Sequence, residues 1–375
     1  MNIYTVVALS VCTQIATKGS KMLVALSALE LHASPFAIGL LIAMYALFPM
    51  QLALYAGRVC DRRGVRLPMG LGSVGVAVGL VVPVAFPELW GLYACAIALG
   101  SASIFYQVSA QYTVGAVSDG PARTRNFAVY SLGGSISGFI GPLLVGFVLE
   151  GAGRTTTYAA LAAVAIIPAI VLTLLRHRPL PRQRRAEPDD EQGSMRLTRN
   201  PGLRHAFITS AVILTGLDLF SFYMPIYGRA LGLSPSSIGI VLSTQAAAAF
   251  VVRLFLPRLV HRLGDAAVLR TMLALAGAAY LLFPFVHEMA TLAAVAFVMG
   301  LALGCGHPLS MQLVQRHAPT GRVGEAIGLR LTFNRVTQIA VPLVFGSLSG
   351  FGVFAVFWAN SALLFAGSLV RSKVQ

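Results

Sequence analysis

Runs of about twenty apolar residues recur along the whole chain, and each can cross about 30 Å of hydrocarbon as a helix. Of 375 residues, 57% are apolar and only 11% are charged. A soluble domain carries roughly a quarter charged residues. The chain is therefore expected to be an all-α integral membrane protein. Twelve spans are predicted: 3–31, 36–57, 67–86, 89–115, 126–149, 155–175, 205–227, 236–256, 266–286, 290–315, 325–348 and 352–371. The formal net charge of +15 would suit a nucleic-acid partner, but the Arg residues lie in short loops between spans. That is the positive-inside pattern of a membrane protein.

The basic loops fall at 58–66, 116–125, 176–204, 257–265 and 316–324, whereas the opposite loops hold only Arg154 and Arg229. Both termini and the 176–204 segment are thus expected on the cytoplasmic side of an inner (plasma) membrane. The chain enters its first span at once, without a cleavage site, so no cleavable signal peptide is expected. Cys12, Cys60, Cys95 and Cys305 are scattered and suggest neither disulfide nor metal site. No cofactor is called for.

The two halves of the chain repeat at an offset of 200 residues. Ser34-Pro35 and Ile38-Gly39 recur as Ser234-Pro235 and Ile238-Gly239, and Pro142, Leu143 and Gly146 recur as Pro342, Leu343 and Gly346. Gly57-Arg58 through Arg62 and Gly64 align with Pro257-Arg258 through Arg262 and Gly264. Ser then Pro starts a helix well, because the Ser caps and the Pro presets the first turn. The organisation expected is a six-helix bundle over 1–175, a Pro-rich, charged linker over 176–204, and a second six-helix bundle over 205–375. Parallel repeats of this kind place substrate near the midplane.

With these residues in view, the chain resembles the major facilitator superfamily. The stretch GRVCDRRGVR at 57–66 matches the family's signature loop, G-x-x-x-D-R/K-x-G-R-R/K, at Gly57, Asp61, Arg62 and Gly64, with Arg66 one place beyond the family's Arg position, which Val65 fills. The resemblance implies that Asp61 and Arg62 brace the cytoplasmic face when the cavity opens outward. In the second copy Pro257 replaces the Gly and His261 the Asp, so a brace there would be weaker. Gly141-Pro142 and Gly146 resemble loosely a motif of the family's proton-driven exporters, and small residues also let helices approach closely.

The polar residues within spans bear on function. Gln14, Lys18 and Lys21 share one face of the first helix. A charge at the centre of a bilayer costs about 2.5–3.5 kcal/mol even on insertion scales. Two like charges about 6 Å apart add roughly 3 kcal/mol at an effective dielectric near 20. Asp218 is the one acid predicted deep inside a span and is the repeat counterpart of Lys18. Arg335 lies about three turns into the eleventh span, beside Asn334 and Gln338. Gln107 and Gln111 in span 4 and His307 in span 10 are further candidates. Gln107 and Gln111 also suit interhelical hydrogen bonds, and His307 sits in a Gly-Cys-Gly-His-Pro sequence that suits a kink. Arg253 and Arg330 lie nearer the cytoplasmic ends and could snorkel to the interface.

Lys18, Lys21 and Arg335 against Asp218 leave a positive excess, which a bound anion would relieve. Arg grips a carboxylate or phosphate with two parallel hydrogen bonds, and Lys adds a point charge. Asp218 could alternate between pairing with Lys18 and taking a proton. The function expected is secondary transport by alternating access, proton-coupled, with an organic anion or anionic amphiphile as cargo. The chain is expected to act as a monomer and not as an enzyme, since no nucleotide loop, metal spacing or nucleophile spacing is present. A broad-range drug/proton antiporter is the alternative, and a non-transporting sensor or scaffold a remote one.

Overall fold

The computed structural model describes residues 3–116, 121–175, 198–318 and 323–369. Among these residues there is no strand. The helices are α1 (Ile3–Glu30), α2 (Pro35–Arg63), α3 (Arg66–Ala85), α4 (Leu89–Ala116), α5 (Pro121–Leu174), α6 (Pro201–Ala230), α7 (Pro235–Leu263), α8 (Asp265–Leu282), α9 (Met289–Gly304), α10 (Gly306–His317), α11 (Val323–Leu348) and α12 (Val353–Leu369). Inside α5, Gly153 takes φ 79, ψ 177 and divides it into arms 121–152 and 154–174. Cys305 separates α9 from α10 within one apolar run, 289–314. With the two arms of α5 counted apart and α9–α10 together, the helices follow the twelve predicted spans in order.

Among the described residues, eight helices are long and apolar enough to cross a membrane. α1 and α11 match them in length, at 28 and 26 residues. Both carry charged and polar residues within the apolar run, Gln14, Lys18 and Lys21 in one and Arg330, Asn334, Arg335 and Gln338 in the other.

The repeat extends to individual backbone bonds. Leu31 N donates to Ser27 O, His32 N to Leu29 O and Ala33 N to Ala28 O. Two hundred residues on, Leu231 N donates to Tyr227 O, Gly232 N to Arg229 O and Leu233 N to Gly228 O. His32 and Gly232 both take positive φ, 55° and 76°. Gly64 and Gly264 do the same at 76° and 79°, closing α2 and α7 in the same way.

The chain divides into two compact units: 1–186 with Pro225–Ser243, and 187–224 with 244–375. In the first, α1 packs along α5, α3 along α4 and α5, and α2 along α4. In the second, α8 packs against α12 and α9. Small residues set these approaches. A Cβ on Gly141 would meet Ile15 O at 3.0 Å on α1, and one on Gly300 would meet Gln245 O at 2.2 Å on α7.

Candidate functional site

In the first unit the cationic face of α1 is built against α5 and α2. Lys18 is half-buried, and its Nζ donates to the carbonyl of Gly134 on α5. A Cβ on Gly134 would stand 3.4 Å from Gln14 Oε1, an ordinary contact. Gln14 and Lys18 thus both lie against Gly134. Lys21, three residues on, turns to a different partner: its Nζ lies 5.9 Å from the centroid of the Tyr45 ring on α2. That ring is buried, and its hydroxyl donates to Ser20 Oγ at 3.1 Å. Sequence reasoning placed two like charges on one face. The structure separates them by giving one a carbonyl dipole and the other an aromatic face, each of which attracts a cation. Gln111 on α4 shares a hydrogen bond with Tyr130 on α5, while Gln107 is exposed.

In the second unit Asp218 on α6 is half-buried and lies within electrostatic reach of Arg335 on α11 and Tyr280 on α8. The Arg335 guanidinium donates through Nη1 to Gln338 Oε1 at 2.9 Å, one turn along its own helix. Tyr280 donates to the carbonyl of Gly216, two residues before Asp218. Asp218, Arg335 and Gln338 therefore form one neighbourhood. Asn334 belongs to another. Its Oδ1 accepts from Ser210 Oγ at 2.9 Å, beside Arg330.

Arg330 does not snorkel: at 2% exposure it heads the largest fully buried side chains. Its Nε donates to Ser210 Oγ and its Nη2 to Ser310 Oγ, each at 3.0 Å, and Nη1 faces Met311 Sδ at 3.6 Å. Two helices other than its own hold this one cation. Nothing local in the sequence announces that cradle, because its hydroxyls lie 20 and 120 residues away. Arg253 is half-buried and donates to Gly304 O at 3.1 Å, at the end of α9.

In the signature loop, Gly64 makes the left-handed turn, Gly57 is half-buried and Arg62 is exposed. Arg66 donates to Leu175 O at 2.8 Å, tying the start of α3 to the end of α5. The side chains of Asp61 and His307 lie outside the described residues.

The family model of the Major Facilitator Superfamily matches residues 6–230 and 206–372. Similar curated proteins include the multidrug resistance protein MdtG of Dickeya zeae, 24% identical over 87% of this chain and 81% of that protein. The uncharacterised MFS-type transporter YuxJ of Bacillus subtilis is 22% identical over 83% and 81%. The staphylopine export protein of Staphylococcus aureus is 24% identical over 60% of this chain and 58% of its own length. Among solved structures, a POT family transporter in complex with 5-aminolevulinic acid aligns with a TM-score of 0.81 at 12% identity, over 98% of this chain and 94% of that one. That likeness bears on the fold alone.

Proposed function

The chain belongs to the major facilitator superfamily, and from that premise we propose that it is a proton-coupled exporter of organic anions or anionic amphiphiles in an inner (plasma) membrane. It is a multi-pass transporter and not an enzyme. The observation that carries the finer reading is the placing of Asp218 beside Arg335. An acid next to a guanidinium, with a gripping partner in Gln338, is a group whose charge depends on what else the cation holds. When a carboxylate or phosphate of the cargo takes Arg335, Asp218 loses its favourable partner and is free to take a proton. When the cargo leaves, Arg335 regains Asp218 and the proton is released. Lys18 and Lys21 supply further positive charge for the cargo, with Gln14 beside Lys18. Asn334, Gln107, Gln111 and His307 are proposed as subsidiary contacts, and the loop at Gly57, Asp61, Arg62, Gly64 and Arg66 as the conformational brace.

A second reading, a broad-range drug/proton antiporter, draws on the multidrug resistance proteins among the relatives. The basic character of α1 and α11 favours acidic cargo over cationic drugs. The expected result in proteoliposomes is that Asp218→Asn loses pH-driven accumulation but keeps exchange at equal concentrations, since exchange moves no net proton. Lys18→Ala and Arg335→Ala should each lose the thermal shift that organic anions give the folded protein. Accumulation by Asp218→Asn under a proton gradient would remove the coupling role. Shifts by cationic dyes that survive both substitutions would favour the drug reading.

The orientation proposed has 176–204 as a cytoplasmic linker between bundles over 1–175 and 205–375, with both termini on the same side. A cysteine placed at Gln192 should react with a membrane-impermeant reagent from the cytoplasmic side, and reaction from outside would reverse the topology.

A further inference from the structure

The first arm of α5 closes on the beginning of α7 at three levels, all within the first unit. Furthest along, Ser236 N donates to Glu150 Oε2 at 3.0 Å. One turn back along α5, a Cβ on Gly146 would stand 2.7 Å from Pro235 O and 3.3 Å from Gly239 Cα. Two turns further, Ser243 Oγ donates to Phe139 O at 2.7 Å. The series is antiparallel and tight, with a polar contact at each end and bare glycine between.

The Glu150 contact is distinct in chemistry. α7 already has its own cap: Ser237 N donates to Ser234 Oγ at 3.3 Å. Glu150 adds a carboxylate from another helix to a first-turn N–H, where the helix dipole favours negative charge and the bond is charge-assisted. Arg154, which follows across the break at Gly153, lies 3.7 Å from Glu30. The repeat offers no equivalent: an offset of 200 puts Gly350 in the place of Glu150 and Phe36 in the place of Ser236. At α2 the cap is local, Ala37 N to Ser34 Oγ at 3.2 Å.

We propose that Glu150 is a one-sided conformational latch: it fastens the first turn of α7 to α5 and weights the transport cycle towards the state in which this face is closed. The inference rests on the chain being an alternating-access transporter and not on its cargo or coupling ion. Opening the face breaks the Glu150–Ser236 bond, and nothing at the counterpart position offsets its loss.

The test uses the full-length protein in proteoliposomes with Cys12 replaced by Ser and spin labels at Ala152 and Ala230. Glu150→Ala should raise the ratio of long to short label distances about fivefold, the worth of a typical lost cap. Glu150→Gln, which can still accept a bond but carries no charge, should raise it by about threefold, reflecting loss of the charge-dipole share. Ser236→Pro removes the donor at a first-turn position that tolerates Pro. It should approach Glu150→Ala, falling short by the Ser234 hydroxyl that also bonds Glu150, and the double variant should go no further than Glu150→Ala. An unchanged distance distribution in Glu150→Ala overturns the latch, as does a double variant whose shift is the sum of the two. Transport by the same preparations reports separately on the alternating-access reading, so the two failures are distinguishable.

Discussion

The two halves of this chain meet one problem, polar groups inside apolar spans, at the same positions with different residues. In the first half, position 130 is Tyr and bonds Gln111 across α4 and α5. At the counterpart positions in the second half, Arg330 faces Met311 across α11 and α10. Ser10 donates to Val6 O within α1, whereas its counterpart Ser210 accepts from Arg330 and donates to Asn334. Gly134 offers its carbonyl to Lys18, and its counterpart Asn334 offers a side-chain oxygen. Even the sign of the charge changes, from Lys18 to Asp218. The repeat thus supplies geometry, a set of positions that touch, and each half fills it with its own chemistry. A cation can be sheltered in the first half by single dipoles and in the second by a shell of hydroxyls.

The largest expected effect tests that difference. Arg330→Ala removes three contacts, those to Ser210, Ser310 and Met311. At about 1 kcal/mol for each lost or unsatisfied group, the destabilisation should be about 3 kcal/mol. Tyr130→Phe, at the matching place in the first half, loses one hydrogen bond and should cost about 1 kcal/mol. Arg330→Lys should fall between, because an ammonium cannot reproduce the planar fork. Denaturation of the purified protein in mild detergent measures all three. Equal losses for Arg330→Ala and Tyr130→Phe would mean that the hydroxyl shell adds nothing, and the contrast between the halves would fail.

Features set by local chemistry were legible in the sequence. The Ser-Pro starts and the break before His307 follow from one or a few adjacent residues. The apolar spans follow from composition within a window. The features that were not legible depend on residues far apart in the chain. Arg330 read as a snorkelling candidate because its place near a span end was visible and Ser210 and Ser310 were not. Lys18 and Lys21 read as a repelling pair, and only the packing of α5 and α2 shows that Gly134 and Tyr45 take one each. Asn334 and Arg335 are neighbours in sequence, but a step of 100° around α11 sends one to Ser210 and the other towards Asp218. Glu150, just beyond the end of a predicted span, drew no reading from the sequence. The available signal was the run of Ser234, Ser236 and Ser237 at a helix start, which invites a carboxylate only if another helix brings one.

The smallest expected effect sharpens the comparison where the halves agree. Gly64 and Gly264 take φ values of 76° and 79°, and a Cβ at either would meet nothing within 4 Å. With ψ at 173° and 153° both lie in a region that almost only Gly adopts, so substitution by Ala should cost the backbone term alone, on the order of 1–3 kcal/mol at each site. Equal shifts in thermal denaturation are expected for Gly64→Ala and Gly264→Ala. Transport should separate them. The turn at Gly64 leads directly into Arg66, whose bond to Leu175 ties α3 to α5, whereas the residue two places beyond Gly264 is Ala266, which has no such side chain. Gly64→Ala should slow transport more than Gly264→Ala at the same loss of stability. If the stability losses themselves differ by more than about 1 kcal/mol, the turns are not equivalent in what they hold, because a strain set by φ alone is the same wherever it occurs.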